Sequence, residues 1–300
     1  MDSIKILCWN CRGSSNPRTT GRIRALMREL SPNIVCLVET RADEGRAKTI
    51  CKKFSKAWEW AAIPANGMSG GIIIFWKHEM GLVTPLAHSR YVLHLIVSNE
   101  KPKEWILSVV YNSQHIQVQK SVWCALAGMS SLNLPWILTG DFNAILSTEE
   151  HRGGGFDHYS TKSKYFSEFI SANQLFDLGY YGSPYTWCNK QNGLARRWAR
   201  LDRYLANSSW ISCFDSYYNK HLCRTLSDHS PMLLTARFFT SSKKKVFRFE
   251  NYWFEHALCH QKVYKAWNFK TVTSPLHAFA HLTSRTRSIL LDKKTFWHVC

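Results

Sequence analysis

Three short apolar runs, each ending on a polar residue, constrain the fold of this chain most strongly. Residues 4–9 lead into Asn10, residues 34–38 into Glu39, and residues 136–139 into Asp141 and Asn143. Runs of this length that are rich in Ile, Val, Leu and Trp predict buried strands. Because ligands of open α/β sheets collect beyond the carboxyl ends of strands, we expect an acidic, phosphate-handling site there.

Further strand-like and helical patterns indicate the architecture. Apolar runs bounded by Gly, Asn, Ser and Pro predict strands at residues 70–76, 91–98, 104–111, 200–205 and 231–238. Helical spacing places three apolar sets on one face each: Ile23, Leu26, Met27 and Leu30; Val118, Val122, Ala125, Leu126 and Met129; Phe166, Phe169 and Ile170. The pattern favours an α/β (α+β) fold, a four-layer sandwich of two mixed β-sheets flanked by helices, with a short C-terminal helical appendage.

A change of composition after Phe239 predicts the domain boundary. Residues 240–245 are Thr-Ser-Ser-Lys-Lys-Lys, which is typical of a linker. We expect a catalytic domain over residues 1–239. Residues 240–300 then form a basic linker and the partial helical tail of a truncated protein.

Charge and cysteine content narrow the functional class. The formal net charge of +18 favours a polyanionic partner, because carboxylates at a catalytic centre repel nucleic acid unless a basic surface surrounds them. Ten cysteines without a secretory or membrane-spanning segment indicate an intracellular, reducing location rather than secretion. We expect DNA, in double-stranded form, as the partner, with no membrane and no obligate protein partner. The expected location is the nucleus, although the lysines at 243–245 suit a solvated linker as well as a nuclear address.

The polar residues at the strand ends suggest metal-assisted hydrolysis. Glu39 is the first candidate metal ligand because Mg²⁺ prefers carboxylate oxygens together with water and substrate phosphate. Asn10 can help to hold the metal or the attacking water without adding negative charge. Asp141 is the candidate general base, and Asn143, two residues on, would share its face on an extended backbone. The alternatives are a solvated strand end at Glu39, a turn Asn at position 10 and an Asx-turn at Asp141.

Two further groups are candidates for binding phosphate. His229 can donate to a phosphoryl oxygen if a carboxylate holds its other ring nitrogen. The phenol of Tyr111 can do the same, with a half-buried core Tyr as the rival interpretation. Around Trp198 lies a basic patch, which can meet a DNA backbone or be simply a solvated face: Arg196, Arg197, Arg200 and Arg203.

Six short motifs occur in an order that is specific when taken together. They are CWNCRG at 8–13, VET at 38–40, VY at 110–111, GDFN at 140–143, RLDR at 200–203 and SDHSP at 227–231. Over about residues 3–238 this set resembles the endonuclease/exonuclease/phosphatase family. Details such as GMSGG at 67–71, SPYTW at 183–187 and FRFENYW at 247–253 are similar to the endonuclease domain of LINE-type (non-LTR) retrotransposons.

The resemblance implies specific roles and an activity. It implies that Asp202 holds His229 and that Asp228 serves the metal together with Glu39 and Asn10. The implied activity is Mg²⁺-dependent hydrolysis of a DNA phosphodiester, with Mn²⁺ as an alternative ion, that leaves a nick with a 3′-hydroxyl. The rivals are a phosphatase or phosphodiesterase for a small phosphorylated molecule or lipid, and a remnant that binds nucleic acid without cleaving it.

Two positions depart from the family pattern. Members that act at abasic sites carry Asp two residues after the first Asn, where this chain has Arg12, which argues against abasic-site repair. Gln114 stands where many members have Asn, and its amide reaches one methylene further.

Overall fold

The computed structural model describes residues 2–67, 69–100, 102–153, 157–239 and 257–267, together with Thr286. Its strands are β1 Ser3–Asn10, β2 Ile34–Val38, β3 Trp58–Ile63, β4 Ile72–Lys77, β5 Leu82–Ser89, β6 Val92–Ser98, β7 Glu104–Tyr111, β8 Trp136–Asp141, β9 His151–Arg152, β10 Leu175–Asp177, β11 Trp187–Cys188, β12 Trp198–Ala199, β13 Asp202–Asn207, β14 Phe214–His221 and β15 Met232–Phe238. Its α-helices are α1 Pro17–Leu30, α2 Glu44–Lys52, α3 Ile116–Ala127, α4 Asp157–Ala172, α5 Ser208–Ile211 and α6 Ala257–Trp267.

Two six-stranded mixed sheets form the centre of the molecule. The first sheet has the order β14-β15-β1-β2-β4-β3, and the second has the order β10-β13-β8-β7-β6-β5. Each sheet contains one parallel pair of neighbouring strands, β1 with β2 in the first sheet and β7 with β8 in the second. All other neighbouring strands in the two sheets are antiparallel. A small sheet of β11, β12 and β9 lies beside them.

Three apolar clusters define four layers. One cluster lies between the sheets, where Ile6, Val38 and Trp76 of the first sheet pack with Leu107 and Tyr204 of the second. A second cluster joins the outer face of the first sheet to α1 and α2. A third joins the outer face of the second sheet to α3 and α4. The predicted sandwich of two mixed sheets with outer helices is confirmed, and α6 falls within the predicted C-terminal tail, whose other residues, apart from Thr286, lie outside the described ranges.

Local sequence explains where α1 begins and ends. Asn16 caps its first turn by accepting a hydrogen bond from the backbone N–H of Arg18 at 2.9 Å, and Pro17 supplies a preformed first residue. Ser31 ends the helix in a left-handed conformation, with φ of 46°. Ile23, Leu26 and Met27 are buried on one face, as the spacing predicted.

The predicted boundary at residue 239 stays a prediction, because residues 240–256 lie outside the described residues. The eight described cysteines are free thiols, and Cys8 and Cys11 pack in different apolar clusters. Among the described residues, none of the helices has both the length and the apolar character needed to cross a membrane.

Candidate active site

The strand ends of both sheets meet at one crevice. In the first sheet, parallel pairing sets Asn10 opposite Val38, so that Glu39 follows at the same edge. In the second sheet, Tyr111 lies opposite Asp141, and Asp141 lies opposite Asp202 on the antiparallel neighbour β13. The two sheets therefore present polar side chains at the ends of five strands to one place, as the sequence predicted.

A buried hydrogen-bonded array occupies the floor of this crevice. His229 places Nδ1 2.8 Å from Asp202 Oδ2 and Nε2 3.7 Å from Asp141 Oδ2. The side-chain amide of Asn10 donates to Asp141 Oδ2 at 2.9 Å and lies 3.4 Å from His229 Nε2. The two aspartates and the histidine offer metal-capable atoms within 4.8 Å of one another. We interpret them as a hydrogen-bonded triad, because 2.8 Å is a hydrogen-bond distance and Mg²⁺ prefers oxygen to imidazole.

Burial and mutual charge shift the ionisation of this array. Burial raises the pKa of Asp141 to about 7, although the charge of His229 opposes the shift. Burial alone would lower the pKa of His229, but the carboxylates of Asp202 and Asp141 outweigh it and raise that pKa to about 9. Since the two groups interact directly, they titrate as a pair. A carboxyl group with a pKa near neutrality beside a charged imidazole suits acid–base chemistry at cellular pH.

The relation of Asn143 to Asp141 differs from the predicted one. Gly140 has φ of 137° and Asn143 has φ of 49°, so the chain turns instead of staying extended. The backbone N–H of Asn143 donates to Asp141 Oδ1 at 2.9 Å, which forms an Asx-turn. The Asn143 side chain donates to the carbonyl of Asn112 at 2.7 Å. The shared-face argument was therefore wrong, although both residues do border the crevice.

Only glycine fits at position 140, because an added Cβ would lie 1.9 Å from the carbonyl oxygen of Val110. This close approach lets β8 pair with β7 through its last residue and fixes Asp141 beside Tyr111. Tyr111 is half-buried, and burial raises the pKa of its phenol, with the carboxylates of Glu39 and Asp141 adding to the effect. A neutral phenol close to both carboxylates is available to donate a hydrogen bond.

Two arginines hold the candidate metal ligands. Arg41 hydrogen-bonds Glu39 Oε1 through Nε, at 3.1 Å, and through Nη2. Arg12 hydrogen-bonds Asp228 Oδ2, and its Nε lies 3.9 Å from Glu39 Oε1. Trp187 Nε1 also donates to Asp228 Oδ2, at 3.0 Å. The structure thus brings Glu39 and Asp228 to one guanidinium, while Asn10 contacts Asp141.

Thr186 connects the loops that carry Asp202 and His229. Its hydroxyl oxygen accepts hydrogen bonds from the backbone N–H groups of Leu201 and Asp202, each at 3.0 Å. Its carbonyl accepts from the N–H of Ser230 at 2.7 Å. The buried Thr186 therefore fixes the position of Asp202 relative to His229.

Arg200 and Arg203 were predicted to contact DNA, and the structure contradicts this. Arg200 is 3% exposed and Arg203 is 0% exposed. Both pair at 2.6 to 2.9 Å with the buried carboxylate of Asp177 and the largely buried carboxylate of Glu150. Their charges are satisfied inside the protein, so they position β13 and the loop before β9 instead of meeting phosphate.

This buried cluster predicts a specific loss of stability in acid. The arginines hold the pKa of Asp177 and Glu150 below the ordinary values, against the opposing effect of burial. Carboxylates with depressed folded pKa values stabilise the fold above their unfolded pKa values of about 4. That stabilisation is lost as pH falls through the depressed values. For each extra proton that the unfolded state binds in this pH range, we expect the free energy of unfolding to fall by about 1.4 kcal/mol per pH unit.

Urea denaturation between about pH 5 and pH 2 measures how steeply the free energy of unfolding depends on pH. Glu150→Gln should be less stable at neutral pH, and its free energy of unfolding should depend less on pH, because one titrating carboxylate is gone. Glu104→Gln removes an exposed carboxylate on β7 and should leave this dependence unchanged. If Glu150→Gln and the wild type showed the same pH dependence, the cluster would not be the source of the acid sensitivity.

The other two arginines of the predicted patch are exposed. Arg196 and Arg197 precede Trp198, and Arg196 lies over the Trp198 ring at 5.8 Å. Arg224, which the sequence did not single out, lies over the same ring at 4.6 Å. Arg196, Arg197, Trp198 and Arg224 form a mixed cationic and aromatic surface, which we call the Trp198 surface.

Sequence reasoning missed the roles of Arg12 and Arg41. Each follows a strand-end polar residue by two positions, Arg12 after Asn10 and Arg41 after Glu39. The β1–β2 pairing sets these two short segments side by side, with hydrogen bonds from Gly13 N–H to the Glu39 carbonyl and from Ser14 N–H to the Thr40 carbonyl. The repeated spacing was the available signal.

Comparisons with known proteins agree with this geometry. Residues 7–229 match the model of the endonuclease/exonuclease/phosphatase family. A search of curated proteins found no match. Among solved structures, the chain is similar to an AP endonuclease from Leishmania major, with 16% identity over 79% of this chain and 88% of that chain, and a TM-score of 0.65.

Two other solved structures share the fold. One is the Neisseria 3′ phosphatase NExo bound to a product DNA hairpin, with 17% identity, 79% of this chain and 100% of that chain covered, and a TM-score of 0.60. The other is the endonuclease domain of TRAS1, a telomere-specific non-LTR retrotransposon, with 16% identity over 79% of this chain and 100% of that chain, and a TM-score of 0.60. The resemblance inferred from the six motifs is confirmed, since the family model spans most of the sandwich. The chain belongs to the endonuclease/exonuclease/phosphatase family.

Proposed function

We propose that this chain is a divalent-metal-dependent endonuclease that nicks double-stranded DNA and leaves a 3′-hydroxyl, as the nicking domain of a LINE-type element. Members of its family are hydrolases that act on phosphoester bonds. The observation that carries the proposal is the buried array of Asn10, Asp141, Asp202 and His229 beside the Glu39–Asp228 pair.

The residues fit a divalent cation at the Glu39–Asp228 pair. Both side chains offer carboxylate oxygens, the donors that Mg²⁺ and Mn²⁺ favour. A positive group already lies against both of them, since the Arg12 guanidinium contacts each carboxylate. Glu39 and Asp228 would hold the ion, with Asn10 adjacent. The bound ion would polarise a phosphoryl oxygen of the substrate.

The remaining residues supply proton transfer and positioning. A water molecule attacks phosphorus, and Asp141 accepts one proton from it as the new P–O bond forms. The P–O3′ bond breaks, and the leaving 3′ oxygen ends as the 3′-hydroxyl after taking up a proton. His229, charged and held through Nδ1 by Asp202, donates from Nε2 to a phosphoryl oxygen as its negative charge grows. The Asn143 turn fixes the carboxylate of Asp141, and Tyr111 donates to phosphate.

Charge supports DNA as the substrate. A net charge of +18 favours a polyanion, and the exposed Trp198 surface offers guanidinium groups beside an aromatic ring. The similar Neisseria enzyme was solved with a DNA hairpin, and the TRAS1 domain belongs to a retrotransposon. A chromosomal DNA substrate would place the working protein in the nucleus.

Nicking of supercoiled plasmid tests the proposal. We expect the wild type to produce open circles with Mg²⁺ or Mn²⁺ and none with EDTA. The nicks should be sealed by DNA ligase, because ligase requires a 3′-hydroxyl and a 5′-phosphate. His229→Gln serves as the matched inactive control.

Failure has two distinct forms. A wild type that shifts DNA in a salt-dependent gel assay without nicking it would be a binding remnant. A wild type that neither nicks nor binds DNA, but hydrolyses a phosphate ester such as para-nitrophenyl phosphate, would be a small-molecule phosphoesterase. Either result would overturn the proposed endonuclease.

A further inference from the structure

Arg12 occupies an unusual place for an arginine. It lies two residues after the end of β1, has φ of 48°, and donates its backbone N–H to the side-chain oxygen of Asn10 at 3.2 Å. Its side chain is half exposed, with 50% relative exposure, and it reaches from the first strand back over the crevice. The base of the side chain is thus fixed to the site, whereas the guanidinium borders solvent.

The guanidinium joins two carboxylates that belong to different parts of the chain. Asp228, 4% exposed at its side chain, precedes β15, and Glu39, 11% exposed, follows β2. Arg12 hydrogen-bonds the first and lies 3.9 Å from the second. Two nearly buried carboxylates that lie close to the same point repel each other unless a positive charge compensates them. Arg12 supplies that compensation.

Arg41 differs from Arg12 in this respect. It contacts Glu39 through two nitrogens, and it comes from the same loop as Glu39, two residues on. Removing Arg41 would weaken one local ion pair. Removing Arg12 would take away the group that spans Glu39 and Asp228.

We infer that Arg12 is an internal competitor of the divalent ion. The inference rests on the proposed function, because it concerns the metal position of that same site. A cation held by both Glu39 and Asp228 must displace the Arg12 guanidinium, which can swing into solvent because it is half exposed. The released guanidinium is then free to meet a substrate phosphate. Free protein should bind the ion weakly, and loss of Arg12 should strengthen binding.

Mn²⁺ binding to the full chain, measured by isothermal titration calorimetry without DNA, tests this inference. We expect Arg12→Gln to lower the Kd for Mn²⁺ by about tenfold, equivalent to about 1.4 kcal/mol. Arg46→Gln is the matched control, because Arg46 is an exposed arginine that pairs with Asp43 at the start of α2. It removes the same charge elsewhere and should leave the Kd within about twofold. Glu39→Gln should abolish the binding in either background.

The outcomes separate this inference from the proposed function. If Mn²⁺ binds in a Glu39-dependent way but Arg12→Gln has the wild-type Kd or a weaker one, competition is refuted and the endonuclease proposal stands. If wild type and Arg12→Gln both fail to bind Mn²⁺, the inference fails, and plasmid nicking decides the proposed function separately. Near-ultraviolet circular dichroism of Arg12→Gln should match the wild type, since a half-exposed side chain is replaced.

Discussion

Replacing Asp141 with Asn is expected to slow plasmid nicking by about 10²- to 10⁴-fold, the usual contribution of a general base. The substitution keeps the shape of the side chain, and its single carbonyl oxygen can accept one of the two hydrogen bonds that Asp141 accepts, from the Asn10 amide or from the Asn143 N–H, each 2.9 Å long in the structure. It removes the group that accepts the proton of water. Affinity for DNA should be retained, because a negative charge is lost from the crevice.

The measurement pairs initial nicking rates with gel-shift affinity on the same preparations. Asp215→Asn is the matched control, because it makes the same chemical change at an exposed position of the edge strand β14. Its nicking rate should stay within about twofold of the wild type. An Asp141→Asn rate above a tenth of the wild-type rate would mean that another group activates the water.

Replacing Arg203 with Met is expected to destabilise the fold by about 3 to 5 kcal/mol, the usual cost of breaking a buried ion pair from one side. Arg203 is fully buried and donates to both carboxylates of its cluster, at 2.6 Å to Glu150 and 2.8 Å to Asp177. Methionine fills much of the volume but leaves the carboxylates of Glu150 and Asp177 with Arg200 alone. Their repulsion and the unsatisfied oxygens account for the loss.

Thermal denaturation measures this effect, with an expected fall in Tm of about 10 °C. Arg196→Met is the matched control on the exposed Trp198 surface, and it should change stability by no more than about 0.5 kcal/mol. A DNA gel shift should show the opposite order of effects: Arg196→Met weakens binding, and folded Arg203→Met does not. If Arg203→Met were as stable as wild type, the buried cluster would not hold the fold together.

The sequence predicted the strands that are buried on both faces and missed those that are not. The predicted strands at residues 34–38 and 104–111 coincide with β2 and β7, because continuous apolar runs identify buried strands. Strand β5 was missed since it is largely exposed and contains Pro85 at a bulge. Strand β14 was missed because its polar residues hide the pattern of an edge strand.

Site residues were predictable where the motif fixed them and unpredictable where charge balance depended on distant partners. Asp202 does hold His229, as the resemblance implied. The interpretation of Arg200 and Arg203 as a basic patch was wrong, because Glu150 and Asp177 lie far away in sequence and meet them only in the folded chain. Local spacing cannot distinguish a solvated arginine from one with a buried partner.

Strand order also governs when the site can exist during synthesis. The first strand, β1, lies at the centre of its sheet between β2 and β15, the last strand of the sandwich. Asn10 and Glu39 leave the ribosome early, but they gain His229 and Asp228 only after nearly the whole sandwich has been made. Such long-range pairing slows folding, and it leaves one edge of β1 without its partner until β15 has been made. The array of Asn10, Asp141, Asp202 and His229 is therefore complete only once β15 has closed the sheet.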